Sequence, residues 1–212
     1  TGGLEPGTYS VTFLDPRARY LSNSSSGPVV VTAGAPVPDL DQEMTLGGTI
    51  SGTVTDATTG SPLAGICVRA NGAGAWWACT DSNGKYQVTG LATDQYALEY
   101  TDNLHARYLS RFYSTSATGS VRVPVTAGAV VTDIDVGMQV GARITGTIRR
   151  SATSTPVAGA CPTAYLDEQT YGIGQARCSA ADGTYTIWGL PVGTYRVNFV
   201  PPPAANLLGE WY

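Results

Sequence analysis

Asp102, His105 and Ser110 are the residue types of an acyl-transfer triad and stand close together in the chain. A working triad needs a nucleophile on a strained turn, an oxyanion hole, and partners that converge from separate elements. Neither signature accompanies these three, so His105, the only histidine, reads as a solvated loop residue and no catalytic residue is expected. The carboxylates suggest a different chemistry. Asp39, Asp41 and Glu43, and again Asp133 and Asp135, alternate with Leu40, Met44, Ile134, Val136 and Met138. On a strand that spacing turns the acids outward and the apolar residues inward. Clustered oxygens suit calcium, but a charged strand face that discourages edge pairing is the simpler reading. Asp81-Ser82-Asn83-Gly84 opens like a calcium loop, yet it lacks a terminal acidic ligand, and its repeat reads Ala180-Ala181-Asp182-Gly183. Turn chemistry accounts for both segments. Neither a metal site nor a cofactor is expected.

The four cysteines are the firmest chemistry. Cys67 and Cys79 flank a hairpin tip at Asn71-Gly72-Ala73-Gly74, and Cys161 and Cys178 flank a longer one. Zinc would want closely spaced cysteine pairs or several histidines, so the expectation is two disulfides, Cys67–Cys79 and Cys161–Cys178. Each closes a short loop worth about 3 kcal/mol and belongs in an oxidising compartment. Recognition chemistry is confined to aromatics. Trp76 and Trp77 are adjacent, so a strand must turn one in and one out, and Tyr165 and Tyr171 occupy the longer cysteine-bounded tip. Exposed indoles and phenols stack on sugar rings or anchor protein partners; the alternative is that they cap their own module. Phe112-Tyr113 and Trp211-Tyr212 recur in the same phase and are expected to pack in cores.

The elements that carry these residues repeat. Ile50 and Val31 return as Ile144 and Val125 at one offset of 94 (144 − 50 and 125 − 31), each inside a matching stretch. Cys67 returns as Cys161 at that offset, Cys79 as Cys178 five residues later. A period of this size means tandem small domains rather than one enzyme with one cleft. The expected organisation is the C-terminal half of a module over 1–46, a whole module over 47–140, and the N-terminal part of a third over 141–212, as in a stretch of a longer array. Tyr9-Val11-Phe13, Tyr96-Leu98-Tyr100 and Tyr195-Val197-Phe199 alternate with less apolar residues, the period-two pattern of half-buried strands. With turn clusters such as Asp56 to Pro62 between strands, about seven strands per module make a two-sheet sandwich. Only five residues separate Met44 from Ile50 and Met138 from Ile144. Contacts through Leu46 and Val140 would stiffen such links, and the modules are expected to line up as a rod.

Charged residues are 13% of the chain, against roughly 25% in ordinary soluble domains, so surface polarity comes from hydroxyls. The net charge of −4 argues against nucleic acid as a partner. No run approaches the roughly 20 apolar residues of a membrane span, and a signal peptide or anchor is expected outside this stretch.

Gly48-x-Ile50-x-Gly52-x-Val54-x-Asp56, then Gly60-Ser61-Pro62-Leu63-Ala64-Gly65-Ile66-x-Val68, then Thr80-Asp81-Ser82-Asn83-Gly84-Lys85-Tyr86-x-Val88-x-Gly90-Leu91 resembles the carboxypeptidase regulatory-like domain. Ala181-Asp182-Gly183-Thr184-Tyr185 and Gly7-Thr8-Tyr9 carry parts of the same signature. The resemblance implies an all-β, transthyretin-like, Greek-key sandwich of seven strands, related to the B-type repeats of bacterial surface adhesins. Those relatives often staple themselves with a Lys isopeptide bond. Here the sole lysine, Lys85, sits beside a turn and Thr184 takes its place in the third module, so no such bond is expected. Arginine far outnumbers lysine, which hints at a GC-rich bacterial source. The resemblance implies a non-catalytic secreted or cell-surface protein acting as stalk, adhesin shaft or filament subunit. Its partners would be neighbouring modules, copies of the same chain, or a surface glycan or protein. The alternative is a set of carbohydrate-binding accessory modules of a secreted hydrolase.

Overall fold

A computed structural model describes residues 3–37, 39–114, 119–167, 174–175 and 178–212. Named by the expected organisation, the stretch 1–46, here the first module, carries β1 (Gly7–Tyr9), β2 (Thr12–Phe13), β3 (Asn23–Ser24) and β4 (Val29–Val31). The stretch 47–140, the expected middle module, carries β5 (Gly48–Asp56), β6 (Cys67–Gly72), β7 (Gly74–Cys79), β8 (Lys85–Leu91), β9 (Asp94–Thr101), β10 (Arg111–Phe112), β11 (Arg122–Val125), β12 (Val130–Val131) and β13 (Val136–Met138). The stretch 141–212, the expected third module, carries β14 (Ala142–Thr147), β15 (Cys161–Leu166), β16 (Gly174–Gln175), β17 (Thr184–Leu190), β18 (Tyr195–Val200) and β19 (Glu210–Trp211). Contacts gather these into two compact units. One comprises Thr1–Val54, Pro62–Tyr100 and Phe112–Val136, the other Thr55–Ser61, Thr101–Arg111 and Gly137–Tyr212.

In the middle module β10-β9-β6-β7, with β11 beside β9, makes one sheet, and β12-β5-β13, with β8 beside β5, makes the other. The seven expected strands are β5 to β9, β11 and β13; β10 and β12 are two-residue pairings added at the edges. Alternation produces the core. Tyr96, Leu98 and Tyr100 of β9 are fully buried and face Ile50, Val54 and Val88 from the other sheet, so each sheet hides its apolar side against its partner. The Tyr86 and Tyr100 rings meet edge to face, centroids 5.8 Å apart. Their hydroxyls are 2.8 Å apart, and Tyr86 donates to the Ile134 carbonyl at 2.8 Å. Burial pushes both phenols well above their ordinary range. Ile134, Val136 and Met138 are buried while Asp133, just before them, and Asp135, between the first two, are exposed, as the alternation requires.

The first module departs from this pattern. Leu40 and Met44 have the same spacing, yet Leu40 is 38% exposed, Met44 is half-buried, and residues 39–45 form no strand. A strand needs a neighbour to satisfy its backbone groups, and among the described residues no strand pairs with this segment. In the third module β14 pairs with β17 in the register of β5 with β8: Ile144 faces Ile187 as Ile50 faces Val88, each after a bulge. Its core gathers Ala164, Ile187, Leu190 and Val197, with Ile144, Tyr185, Tyr195 and Phe199 packed around them. Among the described residues no helix is long and apolar enough to cross a membrane.

Candidate functional site

Cys67 and Cys79 are directly opposed in the β6–β7 register and joined by a disulfide, Cα atoms 3.9 Å apart. Cys161 and Cys178 are joined likewise. Both bridges follow the expected pairing. The first clasps β7, an edge strand, to the sheet interior.

The same hairpin presents the tryptophans. Trp77 is 78% exposed, whereas Trp76 is half-buried with its indole N–H enclosed and without a hydrogen-bond partner among the described residues. One indole in and one out is what adjacency on a strand dictates. In the third module Tyr165 rests against Trp211, ring centroids 5.0 Å apart, and the Arg196 guanidinium lies 5.7 Å from the Trp211 ring centre. The registers Tyr165↔Arg196 and Asn198↔Trp211 bring these side chains together on one sheet face. Tyr171 lies outside the described residues. Phe112, Trp211 and Tyr212 do not pack in cores, each being at least about half exposed, Phe112 and Trp211 on the edge pairings β10 and β19 and Tyr212 just past β19, whereas Tyr113 is half-buried.

The imagined triad dissolves into a loop staple. The Asp102 carboxylate accepts backbone N–H groups from His105 (2.9 Å), Arg107 (2.9 Å) and Tyr108 (3.3 Å). Its remaining reach to the His105 ring is 3.8 Å, and that ring is 70% exposed. The Asp81 and Asp182 carboxylates accept N–H groups two residues on, from Asn83 and Thr184, which is turn chemistry. Lys85 is exposed at the start of β8. Among the described residues no group of three or more His, Cys, Asp or Glu is placed to hold a metal.

A repeated module junction is the feature sequence reasoning missed. The Asp15 carboxylate accepts N–H groups from Arg17 (2.9 Å), Arg19 (2.8 Å) and Tyr20 (3.2 Å), which holds its carboxyl below the usual range. This wrap sets Ala18 in the left-handed region, φ 50°, with its carbonyl over Gly90, φ 73°. A Cβ on Gly90 would lie 2.5 Å from that oxygen, and Gly47 crosses Gly90 backbone to backbone. Gly47 N–H donates to Arg19 O (2.7 Å) and Leu21 N–H to Thr45 O (2.8 Å), beside a Tyr20–Leu46 bridge. The second junction repeats each part. Asp102 wraps the loop, Ala106 has φ 50°, its carbonyl covers Gly189, and Gly141 crosses Gly189. Gly141 N–H donates to Arg107 O (2.9 Å) and Leu109 N–H to Gln139 O (2.8 Å), beside a Tyr108–Val140 bridge. Tyr108 also donates its hydroxyl to Asp56 at 2.9 Å. The first junction lies wholly within one compact unit and the second within the other. Leu46 and Val140 stand where expected, but they join through backbone, their side chains remaining partly exposed. The readable signal was Ala18-Arg19-Tyr20 returning as Ala106-Arg107-Tyr108, each following an aspartate.

Residues 49–139 match the carboxypeptidase regulatory-like domain family. No curated protein matches the sequence. Among solved structures the chain is similar to the Bacillus anthracis TIE protein, at 14% identity and a TM-score of 0.32, over 98% of this chain and 38% of that one. It therefore spans well under half of that longer protein. A Streptococcal ancillary pilin is similar at 16% identity and a TM-score of 0.39, over 99% of this chain and 71% of that one. The shaft pilin spaA from Lactobacillus rhamnosus GG is similar at 12% identity and a TM-score of 0.34, over 79% and 93%. Likeness at these scores says nothing about what the chain does. The family match falls on the middle module, whose signature strands, turns and two-sheet sandwich make residues 49–139 similar to a carboxypeptidase regulatory-like domain.

Proposed function

We propose that this is a non-catalytic, extracellular structural protein whose tandem β-sandwich modules form a stalk or shaft. The observation that carries the reading is the duplicated junction: an aspartate-wrapped loop, a left-handed alanine and a glycine–glycine backbone crossing recur wherever one module meets the next. Backbone-on-backbone packing of this kind resists bending more than a free linker does, and a load-bearing array needs that resistance. The two disulfides favour an oxidising, extracellular setting. Small-angle scattering on arrays of increasing length tests the proposal. Maximum dimension should grow nearly in proportion to module number, and a profile fitted only by freely jointed modules would remove the shaft.

A second reading, carbohydrate-binding accessory modules of a secreted hydrolase, is favoured by the exposed Trp77 beside Trp76. Saturable quenching of tryptophan fluorescence by a polysaccharide, lost in Trp77→Ala, would support it. Unchanged fluorescence across a glycan panel would dismiss it.

A further inference from the structure

The outer face of β7, β6 and β9 carries a row of three side chains that the sandwich itself does not need. Cys67 and Cys79 face each other across β6 and β7 with Cα atoms 3.9 Å apart, so they are a closely spaced pair of the antiparallel ladder. Pair types alternate along such a ladder, which makes Arg69↔Trp77, two positions on, a close pair as well. Both of these side chains are exposed. On the other side of β6 lies β9. In the third module the equivalent strands pair Thr163 with Asn198, the counterparts of Arg69 and Glu99 at offsets of 94 and 99 (163 − 69 and 198 − 99). The same register holds here, because Gly72 packs on the Tyr96 ring, an added Cβ lying 2.7 Å from Cδ1, just as Leu166 is paired with Tyr195. Glu99, between the buried Leu98 and Tyr100, therefore lies across from Arg69 on the outer face. The row reads indole, guanidinium, carboxylate, and falls wholly within one compact unit.

Nothing in the strand pairing calls for these residue types, since threonine and asparagine hold the equivalent positions of the third module in the same register. Among the described residues none of the three has an ion-pair or ring partner. Their chemistry fits a sugar. A pyranose with equatorial hydroxyls offers a flat C–H face to an indole, and each hydroxyl on its rim both donates and accepts. Arg69 has only donors and Glu99 only acceptors, so neighbouring hydroxyls can be met from both sides. One positive and one negative charge suit an uncharged ring better than a uronate, whose carboxylate Glu99 would repel. The Cys67–Cys79 bridge, two positions along, keeps β7 fixed to β6, so Trp77 and Arg69 need little ordering on binding.

We propose that Trp77, Arg69 and Glu99 form a binding platform for a neutral, equatorially hydroxylated glycan of the β-1,4-linked glucan type. The sugar ring stacks on Trp77, while its hydroxyls accept from Arg69 and donate to Glu99. This assignment rests on the carbohydrate-binding reading of Trp77 and gives it a site and a ligand class.

Calorimetric titration of the 212-residue chain with a hexasaccharide of β-1,4-linked glucose should give saturable binding, with a Kd of about 10 µM to 1 mM. The C6-oxidised uronate form of that hexasaccharide should bind at least about fivefold more weakly. Trp77→Ala should remove saturable binding, and Trp77→Tyr should keep it to within about tenfold. Arg69→Ala should weaken the neutral ligand about tenfold. Glu99→Gln should narrow the gap between neutral and oxidised ligands, a change that loss of structure alone would not produce. Binding that survives Trp77→Ala, or that ignores both Arg69 and Glu99, overturns the platform and leaves carbohydrate binding in place. Failure of the glucan hexasaccharide to bind overturns it too, and the carbohydrate reading falls with it only if a wider glycan panel also fails. Self-association of the chain that is lost in Trp77→Ala, without glycan binding, would overturn it in favour of a protein partner on this face.

Discussion

The two buried tyrosines of the middle module form a directed chain, and its direction predicts an unequal response to removing either hydroxyl. Tyr86 spends its proton on the Ile134 carbonyl, so the bond between the phenols must be donated by Tyr100. Tyr100→Phe removes a terminal donor: one hydrogen bond is lost, while the Tyr86 hydroxyl still donates and is left lacking only an incoming bond. The expected cost is about 1 kcal/mol. Tyr86→Phe removes the middle member, stranding the buried Tyr100 hydroxyl and depriving the Ile134 carbonyl of its phenol donor. A buried group left unsatisfied costs about 1–3 kcal/mol, so the loss should be about 2–5 kcal/mol. The double variant no longer carries the stranded Tyr100 hydroxyl and should be more stable than Tyr86→Phe alone by about 1–3 kcal/mol. Two compact units do not guarantee a single unfolding transition. The readout is therefore native-state amide exchange at Val88 and Leu98 in the middle-module core, with the disulfides intact. Equal costs for the single variants, or a double variant at the sum of both, would refute the directed chain.

Replacing Cys67 and Cys79 by alanine should destabilise the middle module by about 3 kcal/mol, read from native-state amide exchange at Val88 and Leu98; unchanged exchange would mean the clasp only decorates the hairpin. Gly189→Ala must place a side chain at φ 67° against the Ala106 carbonyl, so cleavage of the 102–108 loop in limited proteolysis should rise sharply, whereas Gly60→Ala, with nothing near its Cβ, should pay only the left-handed penalty of about 1–2 kcal/mol. The Asp56 carboxyl is held below its ordinary value of 3.8, first by Thr59 N–H, then by Thr58 N–H and the Tyr108 hydroxyl. A folded value below the unfolded one gives stability that is fully present above 3.8 and lost as pH falls through the folded value. The protection factors of the Thr58 and Thr59 amides, with intrinsic rates divided out, should therefore fall in acid, and Asp56→Asn should flatten that dependence.

Much of the sandwich is readable from sequence because it rests on local chemistry. The tyrosine-led alternation of β9 and β18, the Asp81 and Asp182 turns and the cysteines flanking the β6–β7 tip each follow from residues a few positions apart. Trp76 and Trp77 obey the same rule, since adjacency on a strand decides which indole is enclosed. Features that need a distant neighbour are less legible. Leu40 and Met44 have the spacing of Ile134 and Met138 but, among the described residues, no strand to pair with, so similar patterns have different fates. Trp211 reads as a core residue until the β18–β19 register places it on an edge beside Tyr165 and Arg196. The junction is hidden for another reason: its working atoms are backbone carbonyls and amides, and only Asp15, Asp102 and the glycines betray them.

The disulfide across β6 and β7 also governs how far the chain can be drawn out. Cys67 and Cys79 are 12 positions apart but bonded, so a pulled and unfolded middle module cannot pay out the intervening segment. At about 3.4 Å per extended residue this withholds roughly 40 Å of contour length. The 17-position bridge of the third module withholds more, roughly 58 Å. Reduction would release both lengths, so the redox state of its surroundings sets how much slack the chain can yield under load.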